Sequence, residues 1–373
     1  MSDPVQAQAV AAYLAEIPAY VRAAAARQAD AAVLAWVLGW AGAVLGGWLL
    51  LRSRLLERIG RRGEGRGALR GGVLAVMAFA GFSACVEVVA RAPATGLVSL
   101  AALAQDVVWR ALLVAAVYAV LALSGRRPRL GFGLAAVGVS FALVFGPVAV
   151  SELTPDTAAL ASGPVATAAW AVAAASGVSV ARVEISAGAP GEGDVVGLLK
   201  PARILLTPTA AAHGGPAEVA AAVGHVLGHY RHHDEFGWAV VLGLLGAGGG
   251  VFIAGLYRPL AKVLGAEGVE RLTDPRGLPV LWMLAATWLA LAEPLAFAFD
   301  RHINMAADRF SLKHAGAPDG LAEALVRENG LAPVDPTWLQ EWVACTHPGL
   351  KTRLAQAMAW KAGRGGGRGT TFP

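Results

Sequence analysis

Long apolar runs and short polar breaks alternate along this chain, and the lengths of the runs decide what they can form. A helix needs about 20 apolar residues to cross a bilayer. Six stretches approach that length: Ala31–Leu51, Gly71–Val89, Val107–Leu123, Phe132–Val150, Gly237–Tyr257 and Pro279–Phe299. The third and fourth are the shortest or the richest in glycine. Ahead of them, residues 1–30 are alanine-rich and amphipathic, which predicts a surface helix.

Between the fourth and fifth runs the pattern changes. Val178–Ile185 and Asp194–Thr207 carry the β-branched alternation of strands, separated by a Gly/Pro turn from Ala187 to Gly193. A helix is predicted from Pro216 to Asp234: Pro216 suits its first position, and Glu218 suits the positive end. After the sixth run come helices at Asp300–His314, Leu321–Asn329 and Gly349–Ala362, then a Gly- and Arg-rich tail from Gly363 that is expected to be disordered. The expected architecture is a mainly α membrane protein with about six transmembrane helices and a small α+β domain split around the last hairpin. Its segments are 1–30, a four-span block 31–151, a first half-domain 152–236, the hairpin 237–299, a second half-domain 300–362 and the tail 363–373.

Composition supports membrane spans. The 373 residues are 56% hydrophobic and only 15% charged, against roughly 25% charged in soluble proteins. The mean hydropathy is +0.55. The net charge of +5 comes from short arginine runs, which in such a chain points to membrane topology and a lipid bilayer as partner, not to nucleic acid. Cys85 and Cys345 are too few for a disulfide framework or a cysteine metal site.

The chemistry concentrates in the Pro216–Asp234 helix. His225 and His229 stand four residues apart, so both imidazoles project from one face, the spacing by which H-E-x-x-H helices hold zinc. The glutamate position of that motif holds Val226, which cannot accept a proton. His232 and His233 extend the same helix and are read as a polar helix end. Further ligands are needed, because zinc prefers four. The second element is Arg301-His302-Ile303-Asn304-Met305-Ala306-Ala307-Asp308.

The two segments together resemble the membrane-integral CAAX prenyl endopeptidase family and its bacterial HtpX-type relatives, zinc metallopeptidases in which H-E-x-x-H is followed, after a two-span hairpin, by R-x-x-E-x-x-A-D. Arg301, Ala307 and Asp308 match, whereas the metal-binding glutamate position is Asn304. Thr346-His347-Pro348 with Arg353 resembles the family's S/T-H-P…R element, whose histidine and arginine line the active site. Asp194-Val195-Val196-Gly197 with Arg203-Ile204 resembles the strand that holds a substrate backbone, with Asp194 in place of the usual asparagine and Gly197 beside it.

The resemblance implies a zincin-like split domain, a zinc cofactor, and a peptide or membrane-protein substrate or client. It implies an integral protein of a bacterial inner or plasma membrane. It also implies His225, His229 and the Asn304 position as metal ligands, Asp308 as the residue orienting a ligand histidine, and Val226, His347 and Arg353 at the catalytic positions. Both glutamates are replaced, so the expected protein is a catalytically impaired homologue that binds peptides or membrane proteins as a scaffold. The alternative is an active zinc endopeptidase with an unorthodox site, its shell completed by Asn304 or by Asp300 or Asp308 one turn away. Arginine-rich loops at Arg52–Arg70, Arg126–Arg129 and Arg258–Arg276 place the soluble domain outside the cytoplasm by the positive-inside rule, whereas the resemblance places it inside; both readings stay open.

Overall fold

The computed structural model describes residues 4–61, 68–95, 128–153, 157–189, 193–198, 201–266 and 274–365, with isolated positions at 104–105, 107–109, 111–112 and 269. The chain divides into two compact units. One comprises 1–30, 142–238 and 297–373; the other comprises 31–141 and 239–296.

The second unit is helical. It is built on parts of α2 (Ala19–Ser53), α4 (Ala68–Thr95), α5 (Pro128–Leu153), α9 (Asp234–Val263) and α10 (Leu278–His314), with the short α3 (Leu55–Arg61). The four helices α2, α4, α9 and α10 are long and apolar enough to cross a membrane. They leave Leu45, Leu244, Val251, Leu289 and Leu295 exposed, as a surface solvated by lipid allows. Of the six expected spans, Val107–Leu123 lies largely outside the described residues. Phe132–Val150 falls within α5, whose described apolar part, Ala136–Ala149, is shorter than a span. Four of the six expected spans are thus present as long apolar helices among the described residues, and six is not confirmed. Inside this unit Phe79 and Phe82 meet Trp282 edge-on. Gly47 lets α10 come close: a Cβ there would stand 2.6 Å from Met283 Cγ.

The first unit holds a four-stranded sheet of order β1-β2-β4-β3, with β1 (Ala158–Ala159), β2 (Val180–Ile185), β3 (Gly193–Val196) and β4 (Ala202–Leu206). Strand β2 runs parallel to β4, while β1 and β3 are antiparallel to their neighbours. The expected single strand Asp194–Thr207 is two strands, because Pro201 lacks the N–H that a continuous ladder needs. Gly197 lies so near β4 that a Cβ would come within 2.8 Å of Ala202 Cα.

Helix α6 (Pro164–Ser176) and the histidine helix α8 (Pro216–His232) cover one sheet face. Val172, Val183, Val195, Ile204, Leu206, Val219, Val223 and Leu227 form that core. The short α7 (Pro208–His213) links the sheet to α8. The opposite face of α8 contributes Ala221 to a second core with Leu312, Leu321, Leu325, Leu354 and Met358. That core also takes Val10 and Ile17, so α1 (Pro4–Glu16) packs here and Tyr13 donates to Asp319 at 2.8 Å. Helices α11 (Pro318–Glu328), α12 (Trp338–Ala344) and α13 (Leu350–Gly365) complete the unit. The expected helix Asp300–His314 is not separate: α10 runs unbroken to His314, because no glycine or proline stops it where its composition turns polar. Most of the tail, from residue 366, lies outside the described residues.

Candidate active site

The site is built where α8 crosses the last turns of α10. Helix α8 begins firmly: Glu218 Oε2 accepts from the Gly215 N–H at 2.7 Å, and its carboxylate also pairs with Arg327 of α11. Two glycines then decide how near α10 can come. A Cβ on Gly224 would stand 2.8 Å from Ser311 Cα, and one on Gly228 would stand 3.0 Å from Ala307 Cα. The approach is sealed by Ser311 Oγ, which donates to the Ala221 carbonyl at 2.7 Å.

That contact sets Asp308, fully buried, against His225. Asp308 Oδ1 accepts from His225 Nδ1 at 2.8 Å. Arg353 of α13 closes on the same carboxylate with Nε to Oδ2 at 2.7 Å and Nη2 to Oδ1 at 2.8 Å. His229 is held likewise, by Asp234 Oδ2 at 2.7 Å. Asp234 was not expected at the site. It reaches back because His233 ends α8 in the left-handed region, at φ 57°, and turns the chain into α9.

A carboxylate can only accept, so each imidazole carries its proton on Nδ1 and presents a bare Nε2. The two Nε2 atoms are 3.0 Å apart. Two lone pairs at that distance repel unless a proton or a cation lies between them. Burial, ahead of the opposing pull of Asp308, lowers the proton affinity of His225.

The remaining expected positions fall around this pair. Asn304 is buried, and its Nδ2 donates to the Asp300 carbonyl at 2.9 Å. Asp300 Oδ1 accepts from Trp238 Nε1 at 3.3 Å, and Asp308 is taken up by Arg353 and His225. Asp308 thus has both oxygens engaged, whereas Asp300, among the described residues, has contacts on Oδ1 alone. Val226 packs against the apolar core between sheet and α8. His347 is exposed, but protein crowds it and Arg353 is near; burial first, then that cation, push its imidazole down to about 4, an effect solvent partly screens. Burial raises the Asp194 carboxyl, against the hydrogen bond it accepts from Val195 N. Asp194 lies on β3, at the end of the sheet, with Oδ1 accepting from Val195 N at 2.7 Å. Tyr230 of α8 donates to the Gly197 carbonyl at 3.4 Å. Cys345 is buried and its thiol is pushed up by burial and by Glu341, which leaves it a poor nucleophile. His232 packs edge-on to Phe310.

A zinc centre with an open position takes three protein ligands. Here two imidazole nitrogens converge, but the third position offers a neutral amide whose N–H side faces Asp300. Among the described residues, no three His, Cys, Asp or Glu side chains are grouped to hold a metal ion. The donor set present does not fit a complete catalytic zinc site.

Residues 194–361 match the family described as Peptidase family M48. The fold is similar to the crystal structure of Ste24p from S. mikatae, with a TM-score of 0.52 and 16% identity. The likeness covers 66% of this chain and 62% of that one, so the chain spans less than two thirds of that protein. No curated protein matches the chain.

Proposed function

The chain carries a domain of peptidase family M48 over residues 194–361, and on that premise we propose that it is a proteolytically impaired member of the family that holds peptides or membrane proteins without cutting them. One observation carries the reading. The position after His225 is Val226, whose partly buried side chain packs against the apolar core. A general base contributes roughly a hundred- to ten-thousand-fold in rate, and an alkyl group supplies none of it. Asn304 removes the anionic ligand as well.

What remains suits binding. Strand β3 ends the sheet among the described residues, and an extended peptide can add to such an edge through its main chain. Asp194 and Gly197 lie on or beside that edge, and Arg353 binds the Asp308 carboxylate that holds His225. Arg353 spends its charge on Asp308, so its role is to hold the site together. The expected setting is a bacterial inner membrane.

A second reading, an active zinc endopeptidase, draws on the facing Nε2 atoms. His225 and His229, each oriented by a carboxylate, would hold zinc, and Asn304 is the third position.

The test is the metal content and casein cleavage of the purified, detergent-solubilised protein beside the Val226→Glu/Asn304→Glu variant. No bound zinc and no cleavage in the native chain, with both gained in the variant, is the expected result. Stoichiometric zinc with chelator-sensitive cleavage in the native chain would overturn the impaired reading.

A further inference from the structure

Two indoles stand in the open on α12. Trp338 is 72% and Trp342 is 55% exposed. They lie four residues apart on one helix face, with ring centroids 6.5 Å apart and planes inclined at 75°. Large aromatic surfaces are the side chains a protein in water gains most by covering, so their exposure calls for an occupant.

The helix that carries them is firmly placed. Thr337 Oγ1 accepts from Gln340 N at 3.3 Å while Gln340 Oε1 accepts from Thr337 N at 2.7 Å, a reciprocal cap. Gln340 Nε2 also donates to Asp30 Oδ1 at 2.7 Å, and Val343 is buried. The far end is tied to α10: Arg301 Nη1 donates to the carbonyl of Glu341 and, at 2.9 Å, to that of Cys345.

The position of Arg301 identifies what lies beside the indoles. It follows Phe299 by two residues, where the apolar run of α10 gives way to Asp300-Arg301-His302. An apolar helix becomes charged at the edge of the hydrocarbon layer. A third indole marks the same level: Trp238 meets Phe299 edge-on, with centroids 5.5 Å apart, and donates to Asp300. Helix α12 is therefore tied to α10 just beyond the end of its apolar run.

We propose that α12 rests on the phospholipid interface, with Trp338 and Trp342 inserted among the headgroups as an anchor for this part of the domain. Indoles suit that layer, because the ring enters the apolar boundary while the N–H reaches headgroups or water. The proposal stands whether or not the histidine site cleaves peptides.

The experiment places a nitroxide at Trp342→Cys in the full chain, reconstituted in nanodiscs of phosphatidylcholine and phosphatidylglycerol. Only Cys85→Ala is needed beside it, because Cys345 is buried. A second protein carries the label at Lys351→Cys, an exposed position on α13. The expected result is a several-fold excess of collisions with oxygen over those with an aqueous nickel chelate at 342, and the reverse at 351. Nickel access at 342 equal to that at 351 would overturn the proposal. Shielding of 342 from both reagents would overturn it too, by showing that protein, a second copy or another chain, covers the face. If the 342 variant fails to fold, a label at Trp338→Cys gives the same reading.

Discussion

Arg353 and Asp308 are joined by two parallel hydrogen bonds, 2.7 and 2.8 Å long, around a carboxylate that has no exposure to solvent. The same carboxylate accepts from His225. One buried anion thus ties α13, α10 and α8 together, and it fixes which nitrogen of His225 faces His229. The geometry of the histidine pair is thus maintained by charges that also hold the fold together.

Removing one partner of a buried ion pair leaves the other charge uncompensated and costs about 3–5 kcal/mol. Arg353→Met should destabilise the protein by about that amount, and Asp308→Asn by a comparable one. The double variant should lose less than the sum, because neither charge is then stranded. Thermal unfolding of the four proteins in one detergent measures the coupling. Additive losses would mean that the pair contributes no mutual stabilisation.

Gly224→Ala should separate α8 from α10. The new Cβ would press on Ser311 Cα and Oγ, both 2.8 Å from its position, and one of these is rigid backbone. Overpacking of this kind costs about 1–3 kcal/mol. The hydrogen bond from Ser311 to Ala221 would lengthen, and His225 would lose its register with Asp308. A drop in melting temperature, with faster hydrogen exchange in α8 and around Ser311, is expected.

The helical spacings made most of the site legible from sequence. His225 with His229, and Asn304 with Asp308, are each four apart, so each pair shares a face wherever the helices pack. The close approach of those helices was less visible, because Gly224 and Gly228 read first as weak points in a helix and only packing shows them as the contact itself. Asp234 was missed for a different reason. Its contact with His229 spans a helix break, and a left-handed His233 is not signalled by residue type. Helix α12 was missed because seven residues carry little periodicity. The boundary at Asp300 was placed by polarity, but a helix ends where backbone bonds are interrupted, and nothing interrupts them there.

Acid should weaken the fold through His347 and His225, both of which hold protons less readily when folded. The unfolded chain then binds more protons than the native one below the ordinary histidine value of 6.5, so stability falls as pH falls. For His347 the loss sets in below 6.5 and levels off near its folded value of about 4. Well above 6.5 both rings are neutral in either state and stability should be flat from this source. His347→Gln should make the acid limb shallower without altering the neutral plateau. An unchanged slope between pH 6.5 and 4 in that variant would remove His347 from the account.

Asp234 holds His229 as Asp308 holds His225, but it sits at the start of α9 and, among the described residues, is paired with no arginine. Its loss should therefore disturb orientation more than stability. In the Val226→Glu/Asn304→Glu background, which is expected to bind zinc, Asp234→Ala should free the His229 ring to rotate and to move its proton to Nε2. Carboxylates that orient ligand histidines contribute roughly 10–100-fold to metal affinity, and a loss of that size is expected in competition with a chromogenic chelator. The melting temperature of the metal-free protein should change little beside the fall caused by Arg353→Met. A large melting loss with unaltered zinc affinity would show instead that Asp234 matters chiefly as the first turn of α9.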